Sequence, residues 1–282
     1  MKVNILSPGA KTPNGAGFIF PLWIFNDACR ENGILLSFLS RVNDRLCDCD
    51  ALLVDSKFHK TAWATDTEKV LSQFAGWSEQ TRVIYCDTTD STGSLQTNLL
   101  PHVDLYAKAQ LLKDRTLYSE RHYAERIFAD YYHQKFGFTD DRPSFSTPVS
   151  DPKLLNKLRL SWNSGMADHS FAGPFINLCM RRFNLPILAR FATPIAAASK
   201  RRVNEVSCRF GNSYSRNSVG AQRTIMDQVI GRNTSKLRRI GYFKEMTSSK
   251  IVISPFGLGE ITLKDFETFL CGAMLLKPDM TH

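Results

Sequence analysis

The stretch from Ser249 to Lys277, SKIVISPFGLGEITLKDFETFLCGAMLLK, constrains the fold more than any other part of the chain, because it reads as strand, glycine-bearing turn, helix and strand in quick succession. Ile251 to Ile253 are apolar and β-branched, as a buried parallel strand requires. Pro255, Gly257 and Gly259 then free the backbone to turn and to approach a ligand closely. Thr262 and Asp265 form a capping box, and Leu263, Phe266 and Leu270 recur at three and four residues, so a helix starts where the glycines end and turns one apolar face to a sheet. A helix start beside such a turn suits a phosphate or diphosphate. Lys264 and Glu267 stand off the apolar face. The ammonium could meet a phosphate and the carboxylate the hydroxyls of a ribose, or the two could pair with each other on a wet surface.

In order, Ser249, Lys250, the strand Ile251 to Ile253, Pro255, Gly257, Lys264, Glu267, Gly272 and the strand Ala273 to Leu276 resemble the donor-binding segment of exostosin-like glycosyltransferases of the GT-B class. The resemblance implies an α/β protein of two Rossmann-like domains with parallel sheets. It places a nucleotide-sugar donor on the second domain and a glycan or other hydroxyl acceptor in the cleft, with no metal and no cofactor. It assigns Lys264 to the diphosphate and Glu267 to the ribose. Lysine stands where the family usually has arginine, which removes a bidentate grip on phosphate. Only Lys277 to His282 follow the last strand, so the second domain is expected to be truncated. The resemblance is specific over roughly the last eighty residues and extends to the rest only as a layout.

The preceding chain alternates strands and helices, the pattern of a parallel sheet. Strands are expected at Lys2 to Leu6, Ile34 to Leu39, Ala51 to Val54, Arg82 to Cys86, Leu105 to Ala109 and Leu158 to Trp162, with helices at Ile19 to Asn32 and Thr67 to Phe74. Between the first strand and helix lies SPGAKTPNGAG, whose Gly15 and Gly17 either line a cleft or form a plain turn. Because ligands gather beyond the C-terminal ends of parallel strands, the loop DTTDSTGS should face that cleft. Its Asp87 and Asp90 are candidate general bases for an acceptor hydroxyl, or else a turn cap and a solvated acid. Asn163, after the strand ending at Trp162, could bond an acceptor sugar or serve a turn. Asp48 and Asp50 precede an apolar strand rather than following one, so they read as a solvated turn. The aromatic segment Leu117 to Phe136 is expected to be largely a helix on the sheet.

A helix near Pro174 to Phe183 and an apolar stretch, Ile187 to Ala198, lead to a boundary near Ser199, giving domains 1–198 and 199–282. A strand at Val203 to Phe210, the loop GNSYSRNS and a helix at Val219 to Gly231 repeat the strand, loop and helix order. Arg209, Arg216 and Arg223 surround that helix start and are candidates for the diphosphate, or are ordinary surface arginines. The net charge of +9 sits in this region, where Ser199 to Lys250 hold twelve lysines and arginines against three acidic residues. Such a segment can attract RNA, an anionic membrane or a small polyphosphate. Few aromatics interleave with it, and it leads directly into the glycine turn, so a sugar nucleotide fits best and no nucleic-acid partner is expected.

Seven cysteines and six histidines show no zinc spacing, so no metal is expected. The longest apolar run, Phe18 to Phe25, is far short of the ~20 residues a membrane helix needs. The start of the chain lacks the apolar core of a secretory signal, which predicts a cytoplasmic protein, with association at a membrane surface as a further expectation. The rival readings are a non-catalytic remnant that binds a nucleotide sugar, and a binder of RNA or anionic membranes that uses the basic segment.

Overall fold

In a parallel strand buried on both faces, successive side chains enter two different cores, and the strand Arg82–Asp87 shows this directly. Val83 and Tyr85 pack on one side with Phe74 and Tyr106, while Ile84 and Cys86 pack on the other with Phe18 and Ile19. In the computed structural model, the described residues are 1–167, 169, 172, 173, 175, 178, 179, 202–231 and 237–281. The first 160 of them build a six-stranded, all-parallel sheet from β1 (Lys2–Leu6), β2 (Leu35–Leu39), β3 (Ala51–Asp55), β4 (Arg82–Asp87), β5 (Leu105–Lys108) and β6 (Leu158–Leu160). Its spatial order is 2-1-3-4-5-6, so the direction of winding reverses between β1 and β3. At such a switch point the loops leaving adjacent strands part and leave a crevice.

Helices α1 (Pro13–Ile24), α2 (Asn26–Glu31), α3 (Ala62–Thr65), α4 (Thr67–Ser78) and α5 (Ile127–Phe136) belong to this half. The second sheet is also parallel, in the order β7 (Asn204–Ser207), β8 (Ser249–Ile253), β9 (Met274–Leu276). It is accompanied by α6 (Asn217–Ile230), α7 (Arg239–Thr247) and α8 (Leu263–Leu270). Phe243 and Met246 of α7 pack on Val252 of β8 together with Cys271 and Ala273. The capping box at Thr262 and Asp265 is present, with the Thr262 N–H donating to Asp265 Oδ2 at 2.8 Å. The α/β class and the two parallel sheets are those expected. Among the described residues no helix is long and apolar enough to cross a membrane.

Three local expectations are corrected. Helix α1 starts at Pro13, six residues early, because Thr12 caps it by accepting from the Gly15 N–H and a proline at the first helical position costs no hydrogen bond. Gly15 and Gly17 are therefore helical. The segment Leu117 to Phe136 is α-helical only from Ile127, with Leu117 to Ser119 closing a short 3-10 turn; between the two, Ala124 and Glu125 adopt positive φ, and the Ala124 N–H donates to the Ser144 carbonyl at 2.7 Å, so this backbone pairs with a distant loop. Helix α7 has no clear signal in the sequence, since RIGYFKEMT lacks a clean apolar stripe. The helix expected at Pro174 to Phe183 lies largely outside the described residues. The stretch Ile187 to Ala198 and the boundary at Ser199 lie wholly outside them.

The two halves meet through buried polar bonds. The Asp140 carboxylate accepts from the Ser218 N–H at 2.9 Å and its hydroxyl at 2.6 Å, which caps α6 from the first half. In the other direction the buried Glu260 carboxylate accepts from the Thr92 N–H at 3.0 Å and hydroxyl at 2.6 Å. Arg126 donates to the Leu258 carbonyl at 2.7 Å, and the Phe128 and Phe256 rings pack in a tilted arrangement with centroids 5.0 Å apart. These contacts bring the C-terminal ends of both sheets to one place.

Candidate functional site

That place is a cleft of about 400 Å³. The first half lines it with Asn14 at the start of α1, Lys57 and Lys60 beyond β3, Asp90 beyond β4 and Ser164 beyond β6. The second half contributes Tyr214, Arg223 and the turn from Gly257 to Leu263. Every contribution comes from beyond the C-terminal end of a strand or from the helix that follows one, where parallel sheets place their ligands.

The two candidate acids separate cleanly. Asp87 is buried in the sheet, where its Oδ2 takes a 3.0 Å ion pair from Lys108 Nζ and a 2.7 Å hydrogen bond from the Tyr106 hydroxyl, and its Oδ1 accepts from the Thr89 N–H. Burial acts to raise its pKa, but the Lys108 ammonium and the bonds from Thr89 and Tyr106 outweigh it, so the carboxyl lies below its ordinary range. A carboxylate so engaged is a strut of the strand ends. Asp90 lines the cleft, accepts from the Asn14 amide through Oδ1 at 2.6 Å, and has no hydrogen-bond donor at Oδ2 among the described residues. Its main chain is held by Gln110, whose amide donates to the Asp90 carbonyl at 2.7 Å.

Gly259 is what lets the second half reach Asp90, since a Cβ on it would be driven into the Asp90 carbonyl. Gly17 has a similar role within the first half, where a Cβ would strike the Ser164 backbone. A Cβ on Gly15 would approach the Gly9 carbonyl and the Thr12 hydroxyl at 3.0 and 3.1 Å. Neither of these two glycines is among the residues lining the cleft. Gly257 is, beside Arg223 and the Tyr214 hydroxyl, while Pro255 is buried at the start of the turn. Asn163 accepts from the Gly165 N–H at 2.8 Å and lines a small recess beside the cleft with Trp162, Asn14 and Asp90.

The basic residues divide in the same way. Arg223 lies in the cleft, where it donates to the Phe256 and Gly211 carbonyls at 2.7 and 2.8 Å and stacks over Tyr214 at 4.9 Å. Arg209 instead grips Glu245 with bonds of 2.6–2.8 Å. Arg216 stands just before α6 without a side-chain capping bond, its Nη1 buried and unbonded among the described residues, and burial together with the Arg216 charge depresses the pKa of the Arg126 guanidinium. Arg202 is drawn inward as well, donating to the Ser249 and Gly272 carbonyls among others, and Lys250 pairs with Glu205. Much of the basic segment therefore ties the second half together.

Lys264 and Glu267, whose spacing would allow them to pair, bond other partners instead. Lys264 Nζ donates to the Arg209 and Ile253 carbonyls at 2.5 and 3.0 Å, at the ends of β7 and β8. Burial pushes its pKa down to about 8, with Arg223 adding to the effect while Cys208 and Glu267 act against it. Glu267 accepts from the Tyr242 hydroxyl at 3.0 Å and meets Arg239 at 3.5 Å.

Asn14, Lys57, Lys60, Tyr214 and Glu260 were not anticipated. Lys57 and Lys60 follow the apolar run ALLVD, so the rule that placed the Asp87 loop at the cleft also applies to them. Glu260 has no sequence signal, because its partner Thr92 is 168 residues away. Among the described residues no group of three or more metal-ligating side chains occurs.

No family model and no curated protein sequence matches the chain. Among solved structures it is similar to an alpha-glucosyltransferase in complex with UDP and a 13-mer DNA containing a HMU base, at 11% identity and a TM-score of 0.36, over 98% of this chain and 79% of that one. It is also similar to an alpha-glucosyltransferase in complex with UDP, at 11% identity and a TM-score of 0.34, over 98% of this chain and 80% of the other. Similarity at this level transfers no residue.

Proposed function

We propose that the protein is a glycosyltransferase that moves a sugar from a nucleoside-diphosphate sugar to a hydroxyl acceptor. The observation that carries this is the cleft where two parallel sheets end, with Asp90 on one wall and Arg223 on the other. In this reading the nucleotide lies on the second half. Its diphosphate meets Arg223 and, once the ammonium turns from its two carbonyls, Lys264, while Lys57 and Lys60 add positive charge from the first half. Those cations stand where a leaving diphosphate gathers negative charge, which is the electrostatic stabilisation the transfer needs, and the reading requires no metal. Glu267 serves the ribose after exchanging the Tyr242 hydroxyl for a ribose hydroxyl. Asp90 Oδ2 takes the proton from the acceptor hydroxyl, with Asn14 fixing the other oxygen.

The test combines binding with turnover. Titration calorimetry with UDP, GDP, ADP and their parent nucleosides should show at least one diphosphate binding more tightly than its nucleoside. Arg223→Ala should remove most of that difference. Asp90→Asn should keep diphosphate affinity and lower transfer, or donor hydrolysis in the absence of acceptor, by about 10²–10⁴-fold. If no diphosphate binds, or if Asp90→Asn is fully active, the reading fails.

A further inference from the structure

A second cavity, of about 410 Å³, opens at the C-terminal ends of β1 and β2, on the other side of the segment that joins β1 to α1. Its walls include Pro8, Ile19, Trp23 and Phe38, and Asn26 and Ser40 also line it. The Trp23 and Phe38 rings meet edge to face with centroids 6.5 Å apart, and Phe38, on the edge strand β2, is 37% exposed. The lining contains no charged residue. Of its polar side chains, Ser7 is fully engaged, donating to Asp55 at 2.8 Å and accepting from the Gly9 N–H at 3.0 Å. The Asn26 amide and the Ser40 hydroxyl make no hydrogen bond among the described residues.

A cavity of ligand size with an aromatic wall, no formal charge and an unused amide and hydroxyl has a definite chemistry. It suits a neutral ring that is apolar on its faces and rich in hydroxyls at its rim. We infer that this cavity binds a pyranose, the non-reacting ring of a carbohydrate acceptor, with Trp23 and Phe38 against its C–H face and Asn26 and Ser40 on its hydroxyls. A purely apolar group would leave the amide and hydroxyl unpaired, and a phosphorylated ligand would find no cation in this lining. Position supports the same occupant. Ser7, Pro8 and Gly9 line this cavity while Thr12, Pro13 and Asn14 line the cleft, so one short segment separates the two. A chain of sugars can cross it with one ring held here and a terminal hydroxyl near Asp90, which uses remote binding to position the reacting group. The word acceptor rests on the transferase reading; the pyranose site does not.

The experiment therefore reads binding without donor or turnover. The protein has four tryptophans, and fluorine NMR of 5-fluorotryptophan-labelled protein resolves them, with Trp23→Phe assigning the Trp23 signal. Methyl glucoside, galactoside and mannoside are titrated in turn, with uridine and cyclohexanol as a nucleoside and an apolar ring. The expected result is a saturable shift of the Trp23 signal by at least one glycoside at millimolar concentration, with the signals of Trp63 and Trp77 still. Asn26→Ala and Ser40→Ala should each weaken that binding about two- to tenfold. The inference is overturned if no glycoside gives a saturable shift, if uridine or cyclohexanol binds as well as the best glycoside, or if both variants titrate like the parent. Diphosphate binding in the cleft, measured separately, can succeed or fail independently of any of these results.

Discussion

Replacing Lys108 by methionine removes one charge from a pair in which the side chains are 0% and 1% exposed, and leaves the Asp87 carboxylate buried without its counter-ion. Breaking a buried pair in this way costs about 3–5 kcal/mol, because the stranded charge keeps its desolvation penalty and loses its compensation. The Tyr106 and Thr89 hydrogen bonds remain, so the lower half of that range is expected. For a domain of this size, a loss of about 3 kcal/mol lowers the midpoint of thermal unfolding by about 6–12 °C.

The pH dependence gives the stricter test. In the parent, Asp87 has a folded pKa below its unfolded value, so its contribution is fully present above the unfolded carboxylate range and is lost as pH falls through the folded value. In Lys108→Met, burial is left as the dominant influence and the folded pKa rises above the unfolded one. Protonation then relieves the variant just where it weakens the parent. The stability gap should be widest near neutral pH and should narrow as pH falls below about 5, as read by urea unfolding at several pH values. Replacing both partners, as in Lys108→Met with Asp87→Leu, should recover much of the loss. A cost below about 1 kcal/mol, or a gap that stays constant from neutral to acid pH, would refute the assignment of Asp87 as a strut and return it as a candidate base.

Two further outcomes bear on the cleft. Gly259→Ala places a methyl group in the Asp90 carbonyl, so the halves must part or the turn must shift, at about 1–3 kcal/mol or more; an unchanged melting transition and radius of gyration by small-angle scattering would show that the contact does not hold the halves together. If the diphosphate meets Lys264 as proposed, burial, which lowers the Lys264 pKa to about 8, gives nucleoside-diphosphate affinity a pH limb, because the ammonium is present below that value and lost above it. Affinity should fall between about pH 7 and 9.5 in the parent and stay level in Lys264→Arg, whose guanidinium remains charged; equal affinities in the parent at both pH values would remove Lys264 from the diphosphate.

The strands could be read from the sequence because their cause is local. KVNIL and ALLVD are short, mainly apolar runs that carry their own burial, and the capping box at Thr262 closes within four residues. The choice between Asp87 and Asp90 could not, because both sit in one loop with the same local chemistry. What distinguishes them is Lys108, placed opposite Asp87 by the register of β4 on β5, and Gly259, brought against Asp90 by the closing of the two halves. The arginines follow the same logic. Arg209 and Arg223 have equal claims on a diphosphate until Glu245, on a helix the sequence does not announce, takes the first of them. Residue type and strand-end position therefore select the set of groups that can reach the cleft, and long-range pairing decides which of them are still available to a ligand there. A search for the catalytic groups of such a chain should start from strand-end acids and bases and remove those that a neighbouring strand or helix already neutralises. Applied here, that leaves Asp90, Lys57 and Lys60 as the groups to mutate first, with Arg223 added for its place in the cleft wall.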